Sequence, residues 1–300
     1  MLYNFGSINL DHVYRVAHLV RPGETLASHD YRVGLGGKGA NQSLAMAKAG
    51  GCVSHWGRLG RQDAWARDTL SRAGVGVSRV TLVDAPSGHA IIQVDDRAEN
   101  AIILFPGANH GFRRADLNEL VAGTQPGDWL LIQNECIGLD KLIPLADGHG
   151  LKIAFNPAPM SEEVLKLPLS RCRLLFVNRT EAAGLTGLAL DARAEALLDA
   201  LGAQLPAAEI VLTLGSEGAW YLQGDQRLHQ PALPVKAVDT TGAGDTFIGY
   251  FMAARQAELS VGECLVRATT AAALAVQRHG AAESIPGLDE VERELKGEPS

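Results

Sequence analysis

The sequence predicts an α/β fold: a mostly parallel central sheet sandwiched by helices, with a small β-sheet lid projecting from it. Three observations carry that prediction. Short apolar runs that close on a polar residue or Gly recur along the chain, as buried parallel strands do. Helical patterns separate those runs, which implies right-handed strand–helix–strand crossovers. Two early stretches instead show β-type alternation with no helix between them.

The apolar runs lie at 130–133, 152–156, 174–178 and 210–214, and helices are expected over about 138–147, 179–186 and 190–204. The exceptional stretches are 12–33 and 88–105. In the second, the runs 89–94 and 101–105 flank the charged turn Asp95-Asp96-Arg97-Ala98-Glu99-Asn100, a hairpin signature. Residues 1–11, 34–87 and 106–300 are therefore assigned to the α/β domain, and 12–33 and 88–105 to the lid. No internal repeat or low-complexity segment interrupts this plan.

A length of 300 residues is enough for one large core with a small appendage. There are 34 acidic against 27 basic residues, a net charge of −7, and no basic block, which argues against a nucleic-acid partner. A phosphate-bearing ligand would need a local cationic or dipolar pocket. The start, Met1-Leu2-Tyr3-Asn4-Phe5-Gly6-Ser7, lacks the basic and apolar regions of a signal peptide, and no run is long enough to span a bilayer. Cys52, Cys136, Cys172 and Cys264 are far apart and show no metal-ligand spacing. The expectation is a cytoplasmic protein with reduced thiols and no membrane partner.

In open α/β sheets ligands bind beyond the carboxyl ends of the strands. The polar residues expected there are Asn9 and Asp11, at the end of the first strand, then Glu135, Asn156, Asn178, Glu181 and Thr213. Two glycine motifs add to this set. Gly34-Leu35-Gly36-Gly37-Lys38-Gly39 fits the dinucleotide pattern G-x-G-x-x-G. It is not at the first βα turn of the large sheet, however, and no acidic residue follows where ribose recognition by a dehydrogenase would need one. A G-x-x-x-x-G-K-[ST] phosphate loop is absent, because Gly39 follows Lys38. The segment 39–50 reads as a helix that ends at Gly50-Gly51. Lys38 and Asn41 at its start can donate to hydroxyls; the plainer reading is a tight turn with a solvated Lys.

The second motif is Asp239-Thr240-Thr241-Gly242-Ala243-Gly244-Asp245-Thr246-Phe247, which leads into a helix running to about Gln256. Small residues there bare successive N–H groups at a helix N-terminus, an anion site. Asp245 could merely favour the helix dipole. Beside such a nest it could also take a proton from an attacking hydroxyl while the nest stabilises a transferring phosphoryl group.

Taken together, Gly36-Gly37-Lys38-Gly39-Ala40-Asn41-Gln42 and the 239–247 motif resemble the two signatures of the ribokinase, or PfkB-type carbohydrate kinase, family. Asn156-Pro157-Ala158-Pro159, Asn178-Arg179-Thr180-Glu181 and Thr213-Leu214-Gly215-Ser216-Glu217-Gly218 fall between them in the expected order, so the resemblance covers essentially the whole chain. It implies an ATP-dependent sugar kinase with Asp245 as base and the N–H groups of Gly242, Ala243 and Gly244 as anion hole. Asn9, Asp11, Gly37, Lys38, Asn41 and Glu135 would grip the sugar. Asn178 and Glu181 would organise Mg²⁺ and phosphate through water, and Thr213, Gly215 and Gly218 would line the ATP slot. A K⁺ ion would sit beside Asp239, Thr241, Ala275, Arg278, Gly280 and Ser284, several through main-chain carbonyls. Family lids often pair, which implies a homodimer.

The sequence departs from the family pattern at Arg179, where relatives carry Glu, at His89 in the lid, and around Phe105-Pro106. The polar set favours a neutral pentose, D-ribose first. A sugar acid would want an arginine pair, and a nucleoside would want an aromatic slot. Another sugar or nucleoside kinase remains the alternative within the family. A non-catalytic sugar sensor on the same fold is an alternative outside catalysis, and retention of Asp245 with its nest argues against it.

Overall fold

Strands form where apolar runs are bounded by polar residues; most helices between them bury one face, whereas the helices over Lys38–Lys48 and Ala243–Gln256 are buried at consecutive positions. The computed structural model describes residues 1–97 and 99–297; Ala98, within the expected turn, and residues 298–300 lie outside the described residues. The chain opens with β1 (Leu2–Phe5), β2 (Asn9–Arg15), β3 (Asp30–Gly36), α1 (Lys38–Lys48), β4 (Val53–Gly60), α2 (Ala64–Arg72) and β5 (Gly76–Val83). It continues through β6 (Gly88–Val94), β7 (Asn100–Phe105), α3 (Arg114–Ala122), β8 (Trp129–Gln133), α4 (Leu139–Gly148), β9 (Lys152–Asn156), β10 (Leu174–Asn178) and α5 (Arg179–Thr186). It closes with α6 (Ala194–Gln204), β11 (Glu209–Thr213), β12 (Ala219–Gln223), β13 (Gln226–Gln230), α7 (Ala243–Gln256), α8 (Val261–Ala275) and α9 (Leu288–Lys296).

Nine strands form one sheet in the order β13-β12-β11-β10-β9-β8-β1-β4-β5, parallel from β11 to β5 and antiparallel at the β12–β13 edge. Helices cover both faces, so the central strands are apolar on both sides. Leu131, Ala154, Phe176 and Val211 pack with α1, α7 and α8 on one face. Leu130, Ile132, Ile153, Phe155, Leu175 and Val177 pack with α3 to α6 on the other. Burying one such side chain stabilises the fold by about 1.5–3 kcal/mol. No helix of the described residues is long and apolar enough to cross a membrane. The four cysteines are free, and three of them are buried.

A second, four-stranded sheet has the order β3-β2-β6-β7. β6 and β7 form the expected antiparallel hairpin, with His89 opposite Phe105, and β2 lies antiparallel to β3. This sheet begins earlier and ends later than the expected 12–33: its strands include Asn9 to Asp11 and Gly34 to Gly36. The helix expected over 190–204 starts at Ala194, and the strand expected at 210–214 runs Glu209–Thr213.

Candidate active site

The carboxyl ends of the parallel strands are polar and lie side by side. Gln133 at the end of β8 pairs with Asn156 at the end of β9, and Asn178 of β10 pairs with Thr213 of β11. The crevice beyond them is where an open sheet of this kind takes its ligands.

Asn9 and Asp11 are not at the end of the first strand. β1 stops at Phe5, where the Gly6 N–H turns to the Trp56 carbonyl at 3.1 Å, and both residues belong to β2 of the small sheet. Their odd-numbered positions share one face of that strand, with Gly34 and Gly36 opposite them on β3. The Asp11 carboxylate lies against Gly36, where any Cβ would collide with it. Burial pushes the Asp11 carboxyl up to about 6; Glu135 and Glu283 add to the rise and Arg32 opposes it. Asn9 is buried, and its Oδ1 accepts from Asn109 Nδ2 at 2.7 Å, which leaves its own amide N–H groups free to donate. Asn9, Asn109 and Glu135 line a cavity of about 600 Å³ whose apolar wall includes Leu104 of β7.

Glu135 accepts from Ser7 Oγ and, at 3.0 Å, from the Lys38 N–H. Burial raises its carboxyl above the usual range, against the pull of Lys38. The Lys38 ammonium is held charged chiefly by attraction to Asp245, with Glu135 and Glu181 adding to it and burial opposing. Gly37 caps α1 without a side-chain bond, and a Cβ there would crowd Ser7 and Asn9.

Asp245 is buried in the first turn of α7. Its Oδ2 accepts from Asn41 Nδ2 at 3.1 Å and its Oδ1 from Gln42 Nε2 at 2.9 Å. The helix begins at Gly242, whose left-handed φ of 74° only glycine adopts freely. Of the three expected hole amides, Ala243 donates to the Thr240 carbonyl at 3.3 Å. The N–H groups of Gly242, Gly244 and Asp245 have no protein partner among the described residues. A helix N-terminus leaves such groups unpaired by construction.

Ala243 and Gly244 also face a second cavity of about 430 Å³, together with Thr213, Gly215, Gly218 and Phe247. Asn178 and Glu181 do not line it. They form a reciprocal cap on α5: Glu181 N–H donates to Asn178 Oδ1 at 2.9 Å, and Asn178 N–H donates to Glu181 Oε2 at 2.8 Å. Burial raises the Glu181 carboxyl. Because both Glu181 oxygens already accept from Asn178, this pair suits a hydrated Mg²⁺ held through water better than direct ligation. Arg179 turns away from the pair: it donates to the Ala192 carbonyl at 2.7 Å and to Glu217 at 2.8 Å.

The residues expected around a monovalent cation come from two loops that meet. Asp239 accepts from Thr241 N–H and Gly280 N–H, each at 2.9 Å, and Val238 and Asp239 both donate to the Val276 carbonyl. Ser284 is buried, whereas the Arg278 guanidinium leaves for Glu290. One carboxylate, main-chain carbonyls and a hydroxyl are hard oxygen donors of low total charge, which fits an alkali ion. Among the described residues no group of three or more His, Cys, Asp or Glu side chains could hold a metal ion.

A profile of the pfkB family carbohydrate kinase matches residues 1–288. The chain belongs to that family. It is similar to a ribokinase of Haemophilus influenzae, 33% identical over 294 residues and spanning 95% of each chain. It is also similar to a deoxyribokinase of Salmonella typhi, 31% identical over 298 residues and again 95% of each. Its fold matches the structure of Arabidopsis thaliana ribokinase complexed with ribose and ATP, with a TM-score of 0.87, 29% identity and 98% of both chains covered.

Three residues of this carbohydrate kinase escaped the reading of its sequence as site residues. Gln42 belongs to the first glycine signature, and its side chain bonds Asp245. Gln133 appeared only as a strand end, and Asn109 only in an atypical stretch, yet Asn109 fixes Asn9. All three are buried, which their neighbours in sequence do not reveal: Gln42 lies between Asn41 and Ser43. His89 settles on the opposite face of the small sheet from Asn9 and Asp11, beside Phe105 and His12.

Proposed function

We propose that this carbohydrate kinase transfers the γ-phosphoryl group of ATP to the primary hydroxyl of a neutral pentose, with D-ribose giving ribose 5-phosphate as the leading substrate. The observation that carries the reading is the position of Asp245. It follows directly on Gly244, whose unpaired amide lies at the second cavity, and it bonds Asn41 on the other side. Asp245 takes the proton of the attacking hydroxyl, and the amides at the start of α7 meet the charge of the moving phosphoryl group. Because Ala243 N–H already has a partner, Gly244 and Gly242 carry more of that load than Ala243 does.

Asn9, Asp11, Gly37, Lys38, Asn41 and Glu135 hold the sugar; Thr213, Gly215 and Gly218 hold the nucleotide. Asn178 and Glu181 would hold a hydrated Mg²⁺ through water, which would supply charge neutralisation at the phosphates, and Asp239 with its neighbouring carbonyls would hold K⁺, which would supply a fixed positive charge beside the start of α7. The small sheet acts as a lid over the sugar cavity. Its outer face carries Tyr31, Val33, Ile91, Ile103 and Phe105, all at least 37% exposed, and β7 is an unpaired edge. A second copy of the chain covers this face in a homodimer. The reaction belongs in the cytoplasm, where ATP is available.

Support for the pentose comes from the relatives, a ribokinase and a deoxyribokinase, and from Glu135 in the cavity with Asp11 close enough to feel its charge, two carboxylates that repel an acidic or phosphorylated sugar. A hydrophobic ligand would strand these buried polar groups at about 1–3 kcal/mol each. A coupled assay across D-ribose, 2-deoxy-D-ribose, 2-keto-3-deoxygluconate, fructose 6-phosphate and inosine tests it. Ribose should give the highest kcat/KM. A sugar acid, sugar phosphate or nucleoside that beats ribose by about tenfold would overturn the substrate assignment.

A further inference from the structure

Behind Asp245 lies a chain of buried amides. Gln42 Nε2 donates to Asp245 Oδ1 at 2.9 Å and lies 3.3 Å from Asn156 Oδ1. Gln42 Oε1 accepts from Gln133 Nε2 at 2.6 Å, and the same nitrogen donates to Asn4 Oδ1 at 2.9 Å. Asn4 Nδ2 in turn donates to the Gly39 carbonyl and to Ser43 Oγ, each at 2.8 Å. Asn4, Gln42 and Gln133 have no solvent exposure at all, so none of them touches a ligand in either cavity.

The direction of this chain is dictated from its far end. A main-chain carbonyl can only accept, so Asn4 must turn its nitrogen to Gly39 and its oxygen to Gln133. Gln133 must then present its nitrogen, both to Asn4 and to Gln42. Gln42 is thereby left with its oxygen engaged and its nitrogen facing Asp245. Ser43 and His55 close the same end: Ser43 Oγ lies 2.8 Å from His55 Nδ1, and burial pushes His55 down to about 4, so its ring is neutral. The fold thus spends three buried amides on delivering one N–H to a carboxylate oxygen.

We infer that Gln42 is a positioning residue for the phosphoryl transfer, and that the Asn4–Gln133–Gln42 chain holds the Asp245 carboxylate in one orientation, with Gln42 on Oδ1 and Asn41 on Oδ2, so that a remaining lone pair meets the substrate hydroxyl. The inference rests on the reading of Asp245 as base. The donated bond fixes the carboxylate plane, so its loss lets Asp245 turn away from the attacking hydroxyl. The other charged groups that face Asp245 are Lys38 from α1, Glu135 beyond β8 and Glu181 from α5, and none of them is altered by the variants below.

Gln42→Met keeps length and volume and removes the donor. With ribose and ATP it should lower kcat by about tenfold to a hundredfold, the range of one bond to a charged group. KM for both substrates should change by less than about threefold, since Gln42 is out of their reach. Gln133→Met, two links away from the substrate, should lower kcat by a smaller factor, again with KM changed by less than about threefold; it carries the test if Gln42→Met does not fold. Asp245→Asn is measured beside them. A near-dead Asp245→Asn together with a folded Gln42→Met of unchanged kcat overturns the inference while leaving the base in place. An Asp245→Asn that keeps its rate removes the base assignment and this inference with it.

Discussion

Asp11→Asn should make the protein more stable and a worse kinase. In the folded chain burial and two neighbouring carboxylates raise the Asp11 carboxyl from 3.8 to about 6. The shift is about 2 pH units, and each unit is worth about 1.36 kcal/mol, so holding Asp11 ionised costs the fold roughly 3 kcal/mol. The sign follows from the raised value. Below about pH 4 the group is protonated whether folded or unfolded and costs nothing; as the pH climbs through about 6 the penalty grows to its full size and stays. An amide of the same shape removes it. Thermal melts of the ligand-free protein at about pH 8 should show Asp11→Asn melting about 5 °C above wild type, and the gap should close near pH 4. In the same preparation kcat/KM for ribose should fall by about tenfold or more while ATP affinity is unchanged, the usual exchange of stability for function at a site. A variant no more stable than wild type at about pH 8, or a gap equally large near pH 4, would refute the reasoning.

Other predictions follow from single contacts. Replacing K⁺ by tetramethylammonium at fixed ionic strength should lower kcat several-fold, and equal rates in the two salts would remove the cation from the account. Arg179→Ala loses an ion pair to a Glu217 side chain that is 62% exposed, so it should cost at most about 1 kcal/mol of stability and less than about a twofold change in kcat; a tenfold loss would mean that the guanidinium reaches the phosphates. Ile103→Lys on the outer face of the small sheet, where Ile103 is 65% exposed, should convert a dimer to a monomer in light scattering, and a wild-type monomer would itself dismiss the proposed interface.

Much of the fold was legible because the parallel strands are apolar on both faces and end on polar residues; 152–156 and 174–178 are the observed β9 and β10 without adjustment. The small sheet was legible in kind but not in extent. Nothing in Gly6-Ser7-Ile8-Asn9-Leu10-Asp11 marks where one strand ends and the next begins, because the break is made by a tertiary bond from Gly6 to Trp56. Asp245 and its glycines stood out, since small residues at a helix start bare N–H groups that bind an anion. Its supporting amides did not: Gln133 closes an apolar strand and looks like any polar strand end until Asn4, 129 residues away, is brought against it. The double duty of Glu181 was missed for a simpler reason. Asn178 and Glu181 have the spacing of a capping box, and that local role uses both oxygens before any ligand arrives.

The most direct test of the account is the turnover of Asp245→Asn with ribose and ATP, read as ADP release, beside ATP affinity by calorimetric titration. The substitution keeps the shape of the side chain and loses only its capacity to accept the proton. The account predicts a kcat lower by about 10²–10⁴ with ATP still bound within about threefold of wild type. A folded variant that keeps more than about a tenth of the wild-type rate would contradict it.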